Sequence, residues 1–427
     1  MSPATDNITP PASGAATPTA SSLVATQMHK SIAAAASSPP AAHLDASQLR
    51  VTLTQSPREV PHPDGPEYKE SKVCTDHMIT CGWTLRDGWA APELRPYGPL
   101  SLMPTASVLH YATECFEGLK LYRGEDGKLR LFRVGRNCAR MLRSATRIAL
   151  PAFNPDELEK LIVKLCATDG PKWLPRETHK GRFLYLRPTL ISDDPTLGVQ
   201  QPKQALLFII LTLLPDMSNP HALGASDNDD GINGLRLLAS KEDSIRAWPG
   251  GFGFAKLGAN YGPSLLAQGE ARARGFNQIL WLFGPEAHVT EAGASNFFVV
   301  WKDKTTGRKQ LVTAGLDEGV ILEGVTRASL LALARERLAD ELDVVERKYT
   351  MVEIVAAADE GRLVEAFAAG TAFFVAPVGL IEWRGQEMKI PLSEGHTGRY
   401  AGLLRGWLSD IMYGRAEHEW GLVVEEK

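Results

Sequence analysis

A lysine set among glycines, a glutamate ahead of a glycine turn and an arginine on an alternating strand are where this 427-residue sequence gathers residue types able to do chemistry. The densest signal is Arg246 to Gly262, RAWPGGFGFAKLGANYG, with Lys256 at its centre. A Walker-type phosphate loop needs Ser or Thr directly after the lysine to hold magnesium, and Leu257 stands there. A dinucleotide-binding turn is excluded as well. Gly251 and Gly253 do not lie between a clear strand and a helix followed, about 20 places on, by an acidic residue. Taken alone, Lys256 reads as a solvated turn residue.

Val289 to Val300, VTEAGASNFFVV, changes that reading. Glu291 precedes a glycine turn and an apolar strand, and a carboxylate in so nearly buried a place is costly unless it meets a cation. A protonated pyridine nitrogen is such a partner, and a protonated ring is the electron sink that amino transfer requires. Without a partner, Glu291 is an acidic turn residue facing solvent. Phosphate donors are available from three places: the Arg140 guanidinium, the amides of Val325 and Thr326 at a helix start, and Thr371 in a second glycine turn. By itself Arg140 reads as part of a solvated basic face with Arg136 and Arg143. Strand alternation puts Phe183, Tyr185 and Arg187 on one face, which makes Tyr185 and Arg187 either co-lining groups of one site or an edge-strand surface pair.

Hydrophobic periodicity supplies the elements that must position these residues. Strand-like and helical patterns alternate from about Val51 to Asp216, with a helix expected over Asn137 to Ile148 and strands over Arg182 to Ile191 and Ala205 to Leu214. Residues 217–231 are rich in Asn, Asp, Ser and Gly and read as an interdomain linker. Their Asp227 to Gly231 run resembles a calcium loop, but its glycine comes one place early and Leu238 occupies the position of the bidentate Glu. Beyond it, strands are expected over Gln278 to Phe283 and Asn296 to Trp301, a helix over Val325 to Leu342, and further elements ending near Tyr413. The first 50 residues are dominated by Ala, Ser, Thr and Pro, with no aromatic before Tyr68, and read as a disordered tail. The expected organisation is a tail over residues 1–50, a smaller N-terminal α+β domain over 51–216, the linker, and a larger C-terminal barrel-like αβ domain over 232–416.

A composition of 44% hydrophobic and 22% charged residues is that of a soluble globular protein. A net charge of -4 from 46 basic and 50 acidic side chains offers no basic stripe, so nucleic acid and membrane surfaces are not expected partners. The apolar run Ala205 to Leu214 falls short of the about 20 residues that cross a bilayer. Cys74, Cys81, Cys115, Cys138 and Cys166 form no Cys-x-x-Cys pair, against a disulfide framework and a zinc or other metal site. The first arginine is Arg50 and Lys30 stands alone before it, unlike an Arg-rich transit peptide; the cytoplasm is expected, with the mitochondrion left open.

Seven segments in order carry a resemblance: HYATECFEGLKLYRG (His110 to Gly124), LFRVGRNCARMLRSA (Leu131 to Ala145), FLYLRPTLI (Phe183 to Ile191), AKLGANYGPS (Ala255 to Ser264), TEAGASNFF (Thr290 to Phe298), GVILEGVTR (Gly319 to Arg327) and AGTA (Ala369 to Ala372). Together they resemble the branched-chain amino acid aminotransferases of the fold-type IV pyridoxal phosphate class, of eukaryotic type, from about Val51 to Tyr413. The resemblance implies that Lys256 forms the Schiff base with pyridoxal 5'-phosphate and shuttles the substrate proton. It implies that Tyr261 bonds the cofactor's phenolic oxygen, Glu291 its ring nitrogen, and Arg140, Val325, Thr326 and Thr371 its phosphate. Arg187 is implied to bind the side-chain carboxylate of glutamate, beside Tyr185, while Tyr111, Phe116 and Val199 wall an apolar pocket that Ala294 and Ala372 complete. A homodimer is implied, with a loop of the neighbouring subunit closing each pocket.

Departures from that pattern bear on the pocket. Ala294 replaces the family's threonine, with Ser295 next to it. The phenylalanine expected just before the TDH segment has no counterpart in Tyr68 to Thr75, where Glu70 or Ser71 stands instead, and the aromatic expected after the strand ending at Leu214 is absent from Pro215 to Asn219. Phe373 and Ala376 stand where animal members carry a redox thiol pair, so no thiol control of that kind is expected. Two alternatives stay open: a diverged transaminase for another amino acid or amine, and an inactive cofactor-binding interaction protein.

Overall fold

The apolar runs of the chain assemble into two sheets, each with its own buried core. A computed structural model describes residues 41–62, 65–70, 72–215, 232–372 and 374–426; the expected linker over 217–231 and its calcium-like run lie outside them. The first sheet holds β1 (Arg50–Val51), β2 (Cys74–Thr84), β3 (Gly88–Trp89), β4 (Glu93–Pro96), β5 (Glu114–Phe116), β6 (Leu119–Arg123), β7 (Leu129–Phe132), β8 (Phe183–Ile191) and β9 (Gln204–Thr212). The second holds β10 (Leu235–Ala239), β11 (Gln278–Phe283), β12 (His288–Ala292), β13 (Ser295–Lys302), β14 (Lys309–Thr313), β15 (Leu342–Glu346), β16 (Leu363–Gly370), β17 (Phe374–Trp383) and β18 (Gln386–Lys389). A last strand, β19 (Gly421–Val424), returns to the first sheet and pairs antiparallel with β7.

Within the second sheet β12, β11, β10, β17, β16 and β13 close on themselves, because β12 also pairs with β13. A closed ring has no free edge among its members, and it gives the expected barrel a definite form. The helix Val134–Arg147 begins three residues before its expected start, and Pro155–Trp173 follows it; Met141, Leu158, Leu161 and Leu165 bury their apolar stripe on the first sheet. Asn154 caps the second of these helices by accepting the Asp156 amide, and Pro155 at its first position needs no donor.

Other boundaries differ from expectation too. Order begins before Val51: Leu44 is 2% exposed in the core, Asp45 caps the 3-10 turn Ala46–Gln48, and Ala42 exchanges hydrogen bonds with Asp87 and Trp89. Leu44, with Ala46 and Leu49 packed against the same core, docks this segment, which composition averages hide. The helix expected to reach Leu342 stops at Arg337, and Leu342 opens β15 alongside β14. β19 lies beyond the expected end of structure near Tyr413. All five cysteines are buried free thiols. Among the described residues no helix is long and apolar enough to cross a membrane, and no group of three or more His, Cys, Asp or Glu could hold a metal ion.

The C-terminal return is fastened by charge. Arg123 is fully buried and donates to the carbonyls of Leu174 and Gly127 and, at 2.6 Å, to the Glu426 carboxylate. Removing one partner of a buried pair leaves the other charge uncompensated, so Glu426→Ala is expected to cost about 3 kcal/mol of stability. A urea midpoint equal to that of the wild type would remove this pair from the account.

Candidate functional site

Lys256 is held by its backbone before its side chain does anything. Its N–H donates to Ser144 Oγ at 2.8 Å, and its carbonyl accepts the Phe116 amide at 3.1 Å. The helix Val134–Arg147 and β5 therefore fix where the lysine starts. The 3-10 turn Gly258–Asn260 then folds the chain back, so that Nζ meets the Tyr261 hydroxyl at 3.0 Å. Phe116 packs on the same pair, its ring centroid 4.9 Å from Nζ and 5.3 Å from that of Tyr261.

Glu291 sits where the strand ring closes, opposite Trp281 of β11 and Asn296 of β13. It is 2% exposed. Arg246 donates to Oε2 at 2.8 Å, and the Leu322 amide to Oε1 at 2.8 Å with Asn296 behind it at 3.3 Å. Burial still pushes the carboxyl above the usual range, against the pull of Arg246, the Leu322 amide and, at longer reach, Lys256 and Arg140. A further cation at this carboxyl would favour its ionised form. The turn after it needs Gly293, at φ +57°, where a side chain would run into Gln278.

Arg140 is 4% exposed, so it is not part of a solvated face; Arg136 and Arg143 are, and they reach Glu323. Arg140 Nε and Nη2 donate to the two oxygens of Glu117 at 2.8 Å each, and Nη1 to the Glu323 carbonyl at 3.0 Å. This brings it beside the helix Val325–Arg337, whose N-cap Gly324 provides no side-chain cap, leaving first-turn amides for an anion. Burial pushes the Glu117 carboxyl up, yet Arg140, Lys256 and Asn137 outweigh it and hold the acid below its ordinary value. Thr371 joins the same cluster: its hydroxyl donates to Gly118 O at 3.3 Å, next to Glu117. Ala372 lies beside it, its carbonyl accepting the buried Lys120 amine at 3.2 Å.

Tyr185 and Arg187 do share a face of β8. Arg187 donates to the Tyr185 hydroxyl at 3.2 Å, and its guanidinium carbon lies 4.6 Å from the Phe116 centroid, while Nε is buried with no hydrogen-bond partner among the described residues. A cavity of about 150 Å³ is lined by Arg246, Tyr261, Trp281, Glu291, Gly293 and Ala294. Tyr111 and Val199 stand apart from this cluster. The Tyr111 hydroxyl accepts the Gly198 amide at 2.9 Å, and Val199 is 92% exposed. A wider hollow of about 670 Å³ beside Ser240 and Trp383 contains none of the expected residues, and its Lys241, Arg384 and Arg274 are paired with Glu270, Glu242 and Glu382.

Sequence reasoning passed over Glu117, Arg246, Asn296, Ser144 and Lys120. A signal existed for two of them: Glu117 is a carboxylate between Phe116 and Gly118 in an apolar stretch, and Arg246 opens the glycine-rich segment. Each gains its meaning only from a partner distant in sequence.

Glu117→Gln is expected to cost about 3–5 kcal/mol at neutral pH, because Arg140 stays buried without its counter-charge. Since folding holds this carboxyl below its ordinary 4.5, the stabilisation is complete above that value and is lost as pH falls through the lower, folded value. Urea midpoints of wild type and variant should therefore converge in acid; a gap independent of pH would show that the ion pair is not its source.

The sequence profile of the family described as Amino-transferase class IV matches residues 114–381. The chain is 46% identical over 388 residues to the cytosolic branched-chain-amino-acid aminotransferase of Saccharomyces cerevisiae, covering 90% of this chain and 99% of that one. With the cytosolic enzyme of Mus musculus it shares 42% over 375 residues, covering 88% and 92%. Among solved structures, the branched-chain aminotransferase of the thermophilic archaeon Thermoproteus uzoniensis, crystallised with norvaline, superposes with a TM-score of 0.61 at 23% identity, over 81% of this chain and 100% of that one. The Escherichia coli branched-chain amino acid aminotransferase gives 0.60 at 23%, over 82% and 98%, and both speak for the fold. At the identity shared with the yeast and mouse enzymes along most of both chains, this protein belongs to the branched-chain-amino-acid aminotransferases of class IV.

Proposed function

We propose that the protein moves the amino group of leucine, isoleucine or valine reversibly to 2-oxoglutarate, giving glutamate and a branched 2-oxo acid, with pyridoxal 5'-phosphate held by Lys256. The observation that carries this reading is a cavity that Tyr261, bonded to the Lys256 amine at 3.0 Å, lines together with the buried carboxylate Glu291. These residues fit the cofactor: Glu291 suits its ring nitrogen, Tyr261 its phenolic oxygen, and the uncapped helix start at Val325 and Thr326, with Arg140 and Thr371, its phosphate. Solved relatives at 25% identity, bound to pyridoxamine 5'-phosphate and to N-(5'-phosphopyridoxyl)-L-glutamate, support the same choice.

When bound, the cofactor supplies an electron-accepting ring that lets the substrate Cα lose its proton. The residues of the chain do the rest. With that group bound, the Lys256 amine is the base that would take the proton from the substrate Cα and deliver it at the cofactor's C4′. Tyr261 keeps that amine oriented. Glu291, backed by Arg246, Asn296 and the Leu322 amide, would hold a proton on the ring nitrogen. Phe116, Tyr185, Ala294 and Ala372 wall an apolar space for the branched side chain, and Arg187 takes the distal carboxylate of glutamate.

The same reading divides the chain into the two expected domains, each built on one sheet, with β19 returning to the first and the cofactor between them. It also takes the protein as a homodimer. Exposed Leu197, Val199 and Tyr111 form an apolar group that water does not favour, and in a dimer they would close the neighbour's pocket. A wider donor range is a second reading, favoured by the small Ala294 on the cavity wall. Cytosolic and mitochondrial relatives both exist, and we place this chain with the cytosolic one.

An amino-donor screen with 2-oxoglutarate, read as glutamate release, tests the substrates: leucine, isoleucine and valine should lead. Failure of all three while another donor turns over would refute the branched-chain assignment. Lys256→Ala should lose the yellow colour of lysine-held cofactor and at least about a thousandfold in kcat, as removal of a nucleophile and proton carrier does.

A further inference from the structure

Resting on the assignment of Arg187 to the distal carboxylate, we propose that Glu114 sets the balance between branched-chain and dicarboxylic substrates by sharing Arg187 with that carboxylate. Glu114 and Phe116 are two residues apart on β5 and so face the same way. The Phe116 ring has Lys256 Nζ 4.9 Å and the Arg187 guanidinium carbon 4.6 Å from its centroid. The Glu114 carboxylate lies against Gly258, two residues past Lys256, where any side chain would overlap it. Glu114 is thus a resident carboxylate at the edge of the pocket.

Its surroundings explain why it would matter. Burial pushes its carboxyl above the ordinary carboxylate range, and Arg187 is the cation that pulls it back. No direct ion pair joins the two among the described residues, and Arg187 Nε remains buried without a partner. Arg187 therefore has donors free for a ligand while Glu114 balances part of its charge from a distance. With leucine bound, that balance spares the pocket an uncompensated guanidinium next to an aliphatic chain. With glutamate or 2-oxoglutarate bound, two carboxylates compete for one cation, and the resident one weakens the ligand's hold. One pocket then accepts both substrate classes without committing to either.

The test uses cofactor-loaded enzyme with two readouts: the ratio of kcat/KM for glutamate to that for leucine, and the Kd of glutarate, a dicarboxylate without an amine, by calorimetry. Glu114→Gln should raise the ratio about fivefold and tighten glutarate by a similar factor, the size of one partly screened charge. Glu114→Ala, which removes the same charge with a different shape, should do likewise. In an Arg187→Gln background, glutarate binding should be weak and Glu114→Gln should no longer alter it. An unchanged or lowered ratio in both Glu114 variants, with Arg187→Gln still weakening glutarate, overturns this proposal and spares the role of Arg187. Glutarate binding indifferent to Arg187→Gln overturns both.

Discussion

Two carboxylates, Glu117 and Glu291, are withdrawn almost wholly from water, and each stays ionisable there only because a guanidinium is withdrawn beside it. These pairs organise the molecule around them. Arg140 rises from a helix packed on the first sheet, takes both oxygens of Glu117 at the head of β6, and reaches the carbonyl before the helix Val325–Arg337 of the second sheet. Arg246 secures the carboxylate at the closure of the strand ring. Buried charge is poor glue but strict about position, since a displaced partner leaves an unsolvated ion. The two sheets are thereby kept in register where the chemistry requires it.

Much of this was legible in the chain because local chemistry and distant contact agree. β11 occupies Gln278–Phe283, as its apolar run indicates, and β8 begins one residue inside its expected span. Lys256, Tyr261 and Glu291 are carried by glycine turns and a strand end, and glycine leaves a mark in sequence, while Arg140 comes from a helix whose pattern is also legible. The helix after Gly324 misled at its far end for the opposite reason. Leu338 and Leu342 continue its apolar spacing, yet they belong to a turn and to β15, whose partner β14 lies some way upstream. Periodicity records that a residue is buried, not by what.

The charged residues that were overlooked follow the same rule. Nothing near Glu117 in sequence announces Arg140, and nothing near Arg246 announces Glu291. Lys120 is another case: a lysine inside a strand looks like an edge residue, but its amine lies 3.9 Å from the Phe183 centroid and 4.6 Å from that of Phe374. Phe374 itself holds a left-handed backbone at φ +59°, which a bulky residue adopts only when its surroundings insist. The turn carrying Thr371 and Ala372 is therefore shaped by contacts from the other sheet more than by its own residues.

The last strand has a consequence for how the protein is made. β7 emerges from the ribosome well before β19, so the edge that β19 covers stays open while the long stretch between the two strands is translated. Over that interval the backbone donors and acceptors of this edge face water as an unprotected template for other chains. The first sheet therefore completes only after β19 has followed, and that interval is when its open edge can mispair.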